Sequence, residues 1–430
     1  MRRILSLGII LMTLSACGPK PGDAPASAGI EDLAREYLFL ELATGWHDPA
    51  HVDAYFGPAE IQAEAEASQL SLDAIRVRAT ALAARLRVLQ GERTGPESAR
   101  LDGLLARLQA METRIALNQG STLPFDEESR QLFGVQAPDL DASYFEAILA
   151  DIDALLPGDG PLSERVNDFQ DRFVIPPDRL SAVFDAAIAE CRRRTLQNIE
   201  LPGNESFTLE YVTGKPWSGY NWYQGNAQSV IQINTDLPIF ISRAVDLGCH
   251  EGYPGHHTYN ALLEQNLVIG KGWLEFSLYP LFSPQSLIAE GSGNYGIDLA
   301  FPGAERIEFE KSVLFPLTGL DATEADRYYA LQGLLARLSY AGNEAARDFL
   351  DGRIDRDQAV QWLVDYALNS PERALQRTQF IDSYRSYVIN YNLGQDMVRG
   401  YVERDTSTAD DRWARFERML SNPVLPRDLE

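Results

Sequence analysis

Apolar residues recur at three- and four-residue intervals along much of this chain. In Leu72–Gln90, LDAIRVRATALAARLRVLQ, the apolar positions form one stripe and arginines occupy the other face. Glu97–Leu117, Asp326–Leu350 and Arg356–Leu368 repeat the pattern, which predicts amphipathic helices. No fixed period links them, so the chain does not read as a solenoid. One region breaks the helical rhythm. FTLEYV, GYNWYQG and QSVIQIN, between Phe207 and Asn234, are rich in aromatic and β-branched residues with turn formers between them, and they predict short strands. The expected fold class is mainly α, with a small antiparallel sheet beside the helix that follows it. The strand from Ser229 to Asn234 is expected at an edge, where an extended peptide could add to the sheet.

The N-terminus changes the picture. Arg2 and Arg3 precede the apolar run Ile4–Leu14, which falls short of the roughly 20 residues of a membrane-spanning helix and suits a signal-peptide core. Leu14-Ser15-Ala16-Cys17 resembles the bacterial lipobox, whose cysteine is lipidated and becomes the mature N-terminus. Residues 1–16 are therefore expected to be a removed signal peptide. Residues 17–28, rich in Pro, Gly, Ser and Ala, are expected to be the lipidated cysteine and its tether. This predicts an exported lipoprotein facing the periplasm, touching the membrane only through its N-terminal lipid. The 430 residues carry a formal net charge of −24, which argues against nucleic acid and anionic membrane faces as partners. Such a length exceeds one typical domain. Two lobes are expected, a helical region over 29–200 and a region over 201–430 that carries the chemistry. Beyond Cys17 only Cys191 and Cys249 remain, expected as a pair of buried thiols rather than a disulfide.

That chemistry concentrates in GCHEGYPGHHTYN, residues 248–260, which holds three of the five histidines. The preceding TDLPIFISRAVDLGCHEGY predicts a helix capped by Thr235 or Asp236, with Pro238 near its first turn and His250 and Glu251 towards its end. In zinc hydrolases of the His-Glu-x-x-His kind, two histidines four apart on one helix face hold zinc while the glutamate activates water. A regular helix fails here. His256 lies six residues beyond His250, turned by about 600°, and His257 returns to the same face but ~10.5 Å farther along. Pro254 resolves the conflict, because it has no N–H for the His250 carbonyl and its ring clashes there; Gly255 then permits an unusual turn. Read as a two-residue bulge, Pro254-Gly255 restores the four-residue relation, and His250 and His256 are the expected ligands. His257 stands as a substrate contact, a support behind the ligands, or the ligand in place of His256. A histidine-rich surface turn is the bland alternative; the adjacent glutamate and the preceding strand argue against it.

CHEGYPGHHTYN resembles the His-Glu-x-x-Pro-Gly-His-His motif of a large bacterial family of uncharacterised lipoproteins. These are similar to gluzincin-type zinc metallopeptidases and, distantly, to thermostable carboxypeptidases. The resemblance covers mainly residues 200–400, and the chain is short for that family. It implies a two-lobed, mostly helical gluzincin-like fold, with zinc on the floor of a deep cleft and a small sheet at its edge. It also implies a third ligand from a Glu-Gly pair followed by an aromatic on a later helix. SLIAEGSGNYGID supplies Glu290, Gly291 and Tyr295, with Ser292 where an aromatic is usual. Glu290 is favoured as that ligand; its competitor Glu264 is expected to face solvent. NYNLGQD resembles the family's Tyr-x-x-Gly segment and puts Tyr391 and Gly394 in register, with the Tyr391 hydroxyl implied as the oxyanion stabiliser.

Several other features of the sequence offer different readings. Gly291-x-Gly293-x-x-Gly296 spells a dinucleotide fingerprint, but no strand precedes it and no βαβ unit surrounds it. His47 and His51 are four apart, yet Pro49 opposes a helix between them and Asp48 is not a glutamate; they read as loop or interface residues. Cys249 reads as a small packing thiol. Arg385 and Arg399 are candidates to hold a substrate carboxylate. The sequence thus predicts a peptidase that uses Zn2+ held by His250, His256 and Glu290, with Glu251 as base, Tyr391 beside it and a peptide as substrate. Substrate sequence, exo- or endo-cleavage and oligomeric state stay open. The rivals are an inactive helical lipoprotein that binds an envelope partner, which Glu251 disfavours because binding alone needs no base, and a metal-dependent hydrolase of a non-peptide amide or ester.

Overall fold

The computed structural model describes residues 29–91 and 93–430; the expected signal peptide, Cys17 and tether lie outside them. Four helices come first: α1 (Ile30–Gly45), α2 (Ala59–Ser68), α3 (Leu72–Gln90) and α4 (Pro96–Asn118). The periodic apolar residues of these helices, among them Leu38 and Leu42, Ile75 and Leu82, and Leu101 and Leu108, meet in a core of their own. α3 starts where Ser71 accepts a hydrogen bond from the Ala74 N–H at 3.3 Å, which satisfies one of the orphan donors of the first turn. A larger core takes in residues from Phe125 to Leu429, with Ala54 and Ala110 also reaching into it. The helices between 125 and 196, which the sequence groups with the N-terminal region, pack into this larger core alongside the later ones.

Two of the links between the N-terminal helices and the rest involve β1 and α4. β1 (Val52–Tyr55) pairs antiparallel with β5 (Leu278–Pro280). Buried Arg100 on α4 bonds Glu275 through Nε at 2.5 Å and Glu31 of α1 through Nη1 at 2.8 Å. The region 326–350 is not one helix but two, Ala325–Arg337 and Ala341–Leu350, joined by a tighter turn. No helix among the described residues is long and apolar enough to cross a membrane.

The three predicted strands are present as β2 (Ser206–Val212), β3 (Gly219–Gly225) and β4 (Gln228–Asn234), but in the order β2-β4-β3. Two expectations need correction. β4 is the central strand and has no free edge, and the sheet is mixed, since β2 runs parallel to β4 while β3 runs antiparallel to it. The reason lies in the connections. Asn226 and Ala227 both take positive φ, the requirement of a tight two-residue hairpin, so β4 folds straight back on β3. The longer 213–218 link carries β3 one place past its predecessor. An incoming strand could meet only the outer edges of β2 or β3.

Candidate metal centre

The helix carrying the motif begins later than its sequence suggests. Asp236 does not cap it; its carboxylate accepts from the Gly214 N–H at 2.7 Å and the Lys215 N–H at 3.3 Å. Phe240 bridges to Val174 in extended conformation, so the α-helical turns span only Ser242–Leu247 and widen into a π-helical turn over Gly248–Gly252. Wide turns of this kind concentrate at functional sites. The chain then breaks at 253–255 and restarts as the helix His256–Leu263. Gly255 is required by close approach: a Cβ there would lie 1.8 Å from the His250 carbonyl oxygen. Its N–H donates to the Cys249 carbonyl at 3.0 Å. Cys249 is also corrected. It forms a disulfide with Cys191 of the helix Leu180–Leu196, because the π-helical turn and that helix bring two buried thiols into bonding distance.

The break swings His256 back onto His250. The two rings are 4.6 Å apart at 86°, and both face Glu290 on the helix Pro284–Ala300. His250 Nε2 is 3.1 Å from Glu290 Oε2, and His256 Nε2 is 3.6 Å from Glu290 Oε1. One ligand atom from each residue lies within 4.8 Å of the others, and all three residues are buried. Atoms about 2 Å from a common tetrahedral ion are spaced about 3.3 Å apart, so these residues fit a zinc ion with a fourth position open. Glu264 is not close by. It is half-buried and takes the N–H groups of Asn226 and Ala227 at 2.8 and 3.0 Å, pinning the β3–β4 hairpin instead of facing solvent.

The surroundings hold the donor set in register. His250 Nδ1 lies 2.9 Å from Asn294 Oδ1, and the Asn294 amide donates to the Tyr391 carbonyl at 2.9 Å. That second bond fixes the amide orientation, so Nδ1 must carry the proton and Nε2 presents its lone pair to the site. The Tyr387 hydroxyl donates to Glu290 Oε1 at 2.6 Å. Asn294 is one helical turn beyond Glu290 and Tyr387 one turn before Tyr391; i,i+4 spacing was the signal that could have found them. The glycines of the rejected dinucleotide fingerprint have positions in this packing. A Cβ on Gly293 would be 2.8 Å from His250 Nδ1, one on Gly296 2.8 Å from Pro254, and one on Gly291 2.4 Å from the backbone of Gly394.

His257 does not join the cluster. Its Nδ1 lies 2.8 Å from Ser229 Oγ on β4 and its Nε2 3.2 Å from Glu205 Oε2, fully buried. Of the three roles left open for it, only a support behind the ligands suits this placement. Tyr391 stacks on His250 at 6.4 Å and lines the cleft. Arg385 and Arg399 are taken: Arg385 pairs with buried Glu128 at 2.7 Å and Arg399 with Asp298 at 2.5 Å.

Glu251 lies beside the cluster. Its carboxylate meets no donor or cation among the described residues and lines a cleft of about 810 Å³. A Cβ on Gly219 would come within 2.6 Å of its Oε1, so glycine there keeps space for the group. Burial pushes the Glu251 carboxyl up, although the charges of His250 and His256 oppose this. Burial also disfavours charge on His256 and Glu290, but their mutual attraction wins. His256 is raised to about 9, and Glu290 is held well below the usual carboxylate range by His256 and His250. The cluster thus draws a proton to the place where a cation would sit, and metal binding would release it.

No protein-family profile and no curated protein matches this sequence. Among solved structures, it is similar to a presumed lipoprotein from Colwellia psychrerythraea (TM-score 0.48, 14% identity, 90% of this chain and 74% of that one). It is also similar to a lipoprotein of unknown function from Shewanella oneidensis (0.43, 12%, 86% and 75%) and to the M32 carboxypeptidase from Deinococcus radiodurans R1 (0.36, 14%, 90% and 87%). At these scores the likeness carries no functional weight. What this chain has of its own is a buried His-His-Glu cluster in a helical fold, with an unpaired carboxylate beside it.

Proposed function

We propose that this protein is a zinc-dependent peptidase of the cell envelope, tethered through Cys17, with His250, His256 and Glu290 as ligands. The observation that carries the reading is the convergence of those three side chains beside the free carboxylate of Glu251. Bound there, zinc would supply a Lewis acid that polarises a scissile carbonyl and brings the pKa of water to about 7. Glu251 is not one of the three convergent residues, and nothing else among the described residues competes for its oxygens, so it can take the proton from the attacking water and pass it to the leaving amine. The Tyr391 hydroxyl, on the His250 side of the cleft, is the donor for the developing oxyanion. Tyr387 and Asn294 do not touch substrate; they hold Glu290 and His250. Gly219–Asn221 of β3 line the cleft, so an extended substrate would run along β3, not along β4 as the sequence suggested.

The test is Glu251→Gln. Zinc content near one per chain and an unchanged thermal melt are expected, with hydrolysis of a peptide mixture reduced at least about 10²-fold, the low end for a general base. Equal turnover in wild type and variant would sink the mechanism. No turnover in either, across a broad library, would favour a binding protein.

A further inference from the structure

The cleft holds charged groups that the mechanism does not use, and two of them, Arg377 and Asp53, have no ion-pair partner among the described residues. Arg377 lies on the helix Pro371–Tyr384 and lines the cleft. It has no hydrogen bond or ion pair among the described residues, and its guanidinium lies over the rings of Phe380 at 4.8 Å and Tyr391 at 6.0 Å. In a chain with 62 acidic and 38 basic residues, this half-buried arginine meets no acid among the described residues. Arg385 and Arg399 are paired. Arg373, one turn before Arg377, also lines the cleft and meets only a carbonyl, that of Pro238, at 2.6 Å. Burial holds both guanidiniums below their usual range, with Arg243 adding to the effect at Arg373 and Asp171 opposing it.

The opposite charge is Asp53 of β1. It lines the same cleft and makes no ion pair among the described residues. Burial pushes its carboxyl up to about 7 against the influence of His256 and Tyr220. Asp53 and Arg377 stand on different elements, β1 and the helix Pro371–Tyr384, that line one cleft of about 810 Å³, so a ligand that meets both groups is a short one. Arg377 lies over Tyr391, which stacks on His250, and His250, His256 and Glu290 line the same cleft.

We propose that the cleft selects short peptides with both termini free, Arg377 receiving the C-terminal carboxylate and Asp53 the N-terminal ammonium. This rests on the peptidase reading above and narrows it. An unpaired charge in a low-dielectric cleft is costly until its counter-charge arrives, so a zwitterionic ligand relieves both ends at once, whereas a blocked terminus leaves one group desolvated and unpaired.

The experiment compares kcat/KM for Ala-Ala-Ala with its N-acetyl and C-amide forms. Each block is expected to lower kcat/KM at least about 10-fold, mostly through KM, as the loss of a charge-assisted bond does. Arg377→Gln should erase discrimination against the amide only, and Asp53→Asn against the acetyl form only. Arg377→Lys and Asp53→Glu should retain part of it, which separates a charge effect from misfolding. The proposal is overturned if wild type cleaves blocked and free peptides alike, or senses only one end. Calorimetric titration of chelator-treated protein with Ala-Ala-Ala and with its doubly blocked form decides the matter independently of turnover. A preference of at least about 10-fold for the free peptide, lost in both neutral variants, is expected; equal binding, or none, overturns the proposal. If the preference holds while no peptide is hydrolysed, the peptidase reading fails and the recognition stands.

Discussion

Two places in this molecule set histidine against carboxylate, and they are built in opposite ways. In the N-terminal region His51 Nε2 meets Glu41 Oε2 at 2.5 Å with both side chains buried. Nearby, Arg114 is closed against Asp48 at 2.6 Å, and Arg100 lies between Glu275 and Glu31. Each of these charges is paired with a neighbour inside the protein. In the cleft, His250 and His256 share a single carboxylate and point at one spot, while Glu251, Asp53 and Arg377 line the cavity with no ion-pair partner among the described residues. Residue type and spacing do not separate the two places, since His47 and His51 keep the four-residue spacing that the cleft motif has lost. Closure does. A polar group satisfied by its neighbour is a structural tie, and one left open in a buried place is maintained for something that is not part of the chain.

The comparison breaks most readily at the histidines. His256→Ala should abolish tight zinc binding, since it removes one of three donors. His257→Ala should keep the zinc and instead cost about 1–3 kcal/mol of stability by leaving Ser229 and Glu205 short of a partner. Elemental analysis with a denaturant melt reads both, and the reverse pattern would mean that His257 is the ligand. In the closed region, Arg100→Ala leaves Glu275 buried and uncompensated. A loss of about 3–5 kcal/mol is expected, with zinc content unchanged in the surviving folded protein; a loss below about 1 kcal/mol would show that the pair is not the tie described here. The smallest effect tests the support behind the open site. Asn294→Ala should weaken zinc about 10- to 100-fold by freeing the His250 ring, with little change in the melt of the zinc-free protein. Unaltered affinity in a chelator competition would remove Asn294 from that role.

How much of this was legible in the sequence follows from the same distinction. The three strands and α3 were readable because one face of each is apolar, and a period reports a face. The bulge at Pro254-Gly255 was readable because proline and glycine restrict the backbone wherever they stand. Partners across the fold were not. Nothing local tells that Cys191 meets Cys249, that Glu128 occupies Arg385, or that Glu264 reaches the β3–β4 turn. Arg377 and Arg399 look alike in sequence; what distinguishes them is that Asp298 stands beside one of them. The helix start at Ser242 was missed for a related reason. Thr235 and Asp236 have the chemistry of a cap, but pairing of Phe240 with Val174 holds the segment extended and outweighs local preference.

The backbone contact between Gly291 and Gly394 has a mechanical consequence. With a notional Cβ only 2.4 Å from the facing carbonyl carbon, the helices Pro284–Ala300 and Ile389–Glu403 have no side-chain layer between them to slide or tilt on. One carries Glu290 and Asn294; the other carries Tyr391 and follows directly from the turn that carries Tyr387. They move as one body, so the bonds from Tyr387 to Glu290 and from Asn294 to the Tyr391 carbonyl keep their lengths however the cleft breathes. An opening that admits a ligand would then fall to the walls, β1 and the helix Pro371–Tyr384, which carry Asp53 and Arg377. The floor is an anvil, and adaptation belongs to the parts that grip.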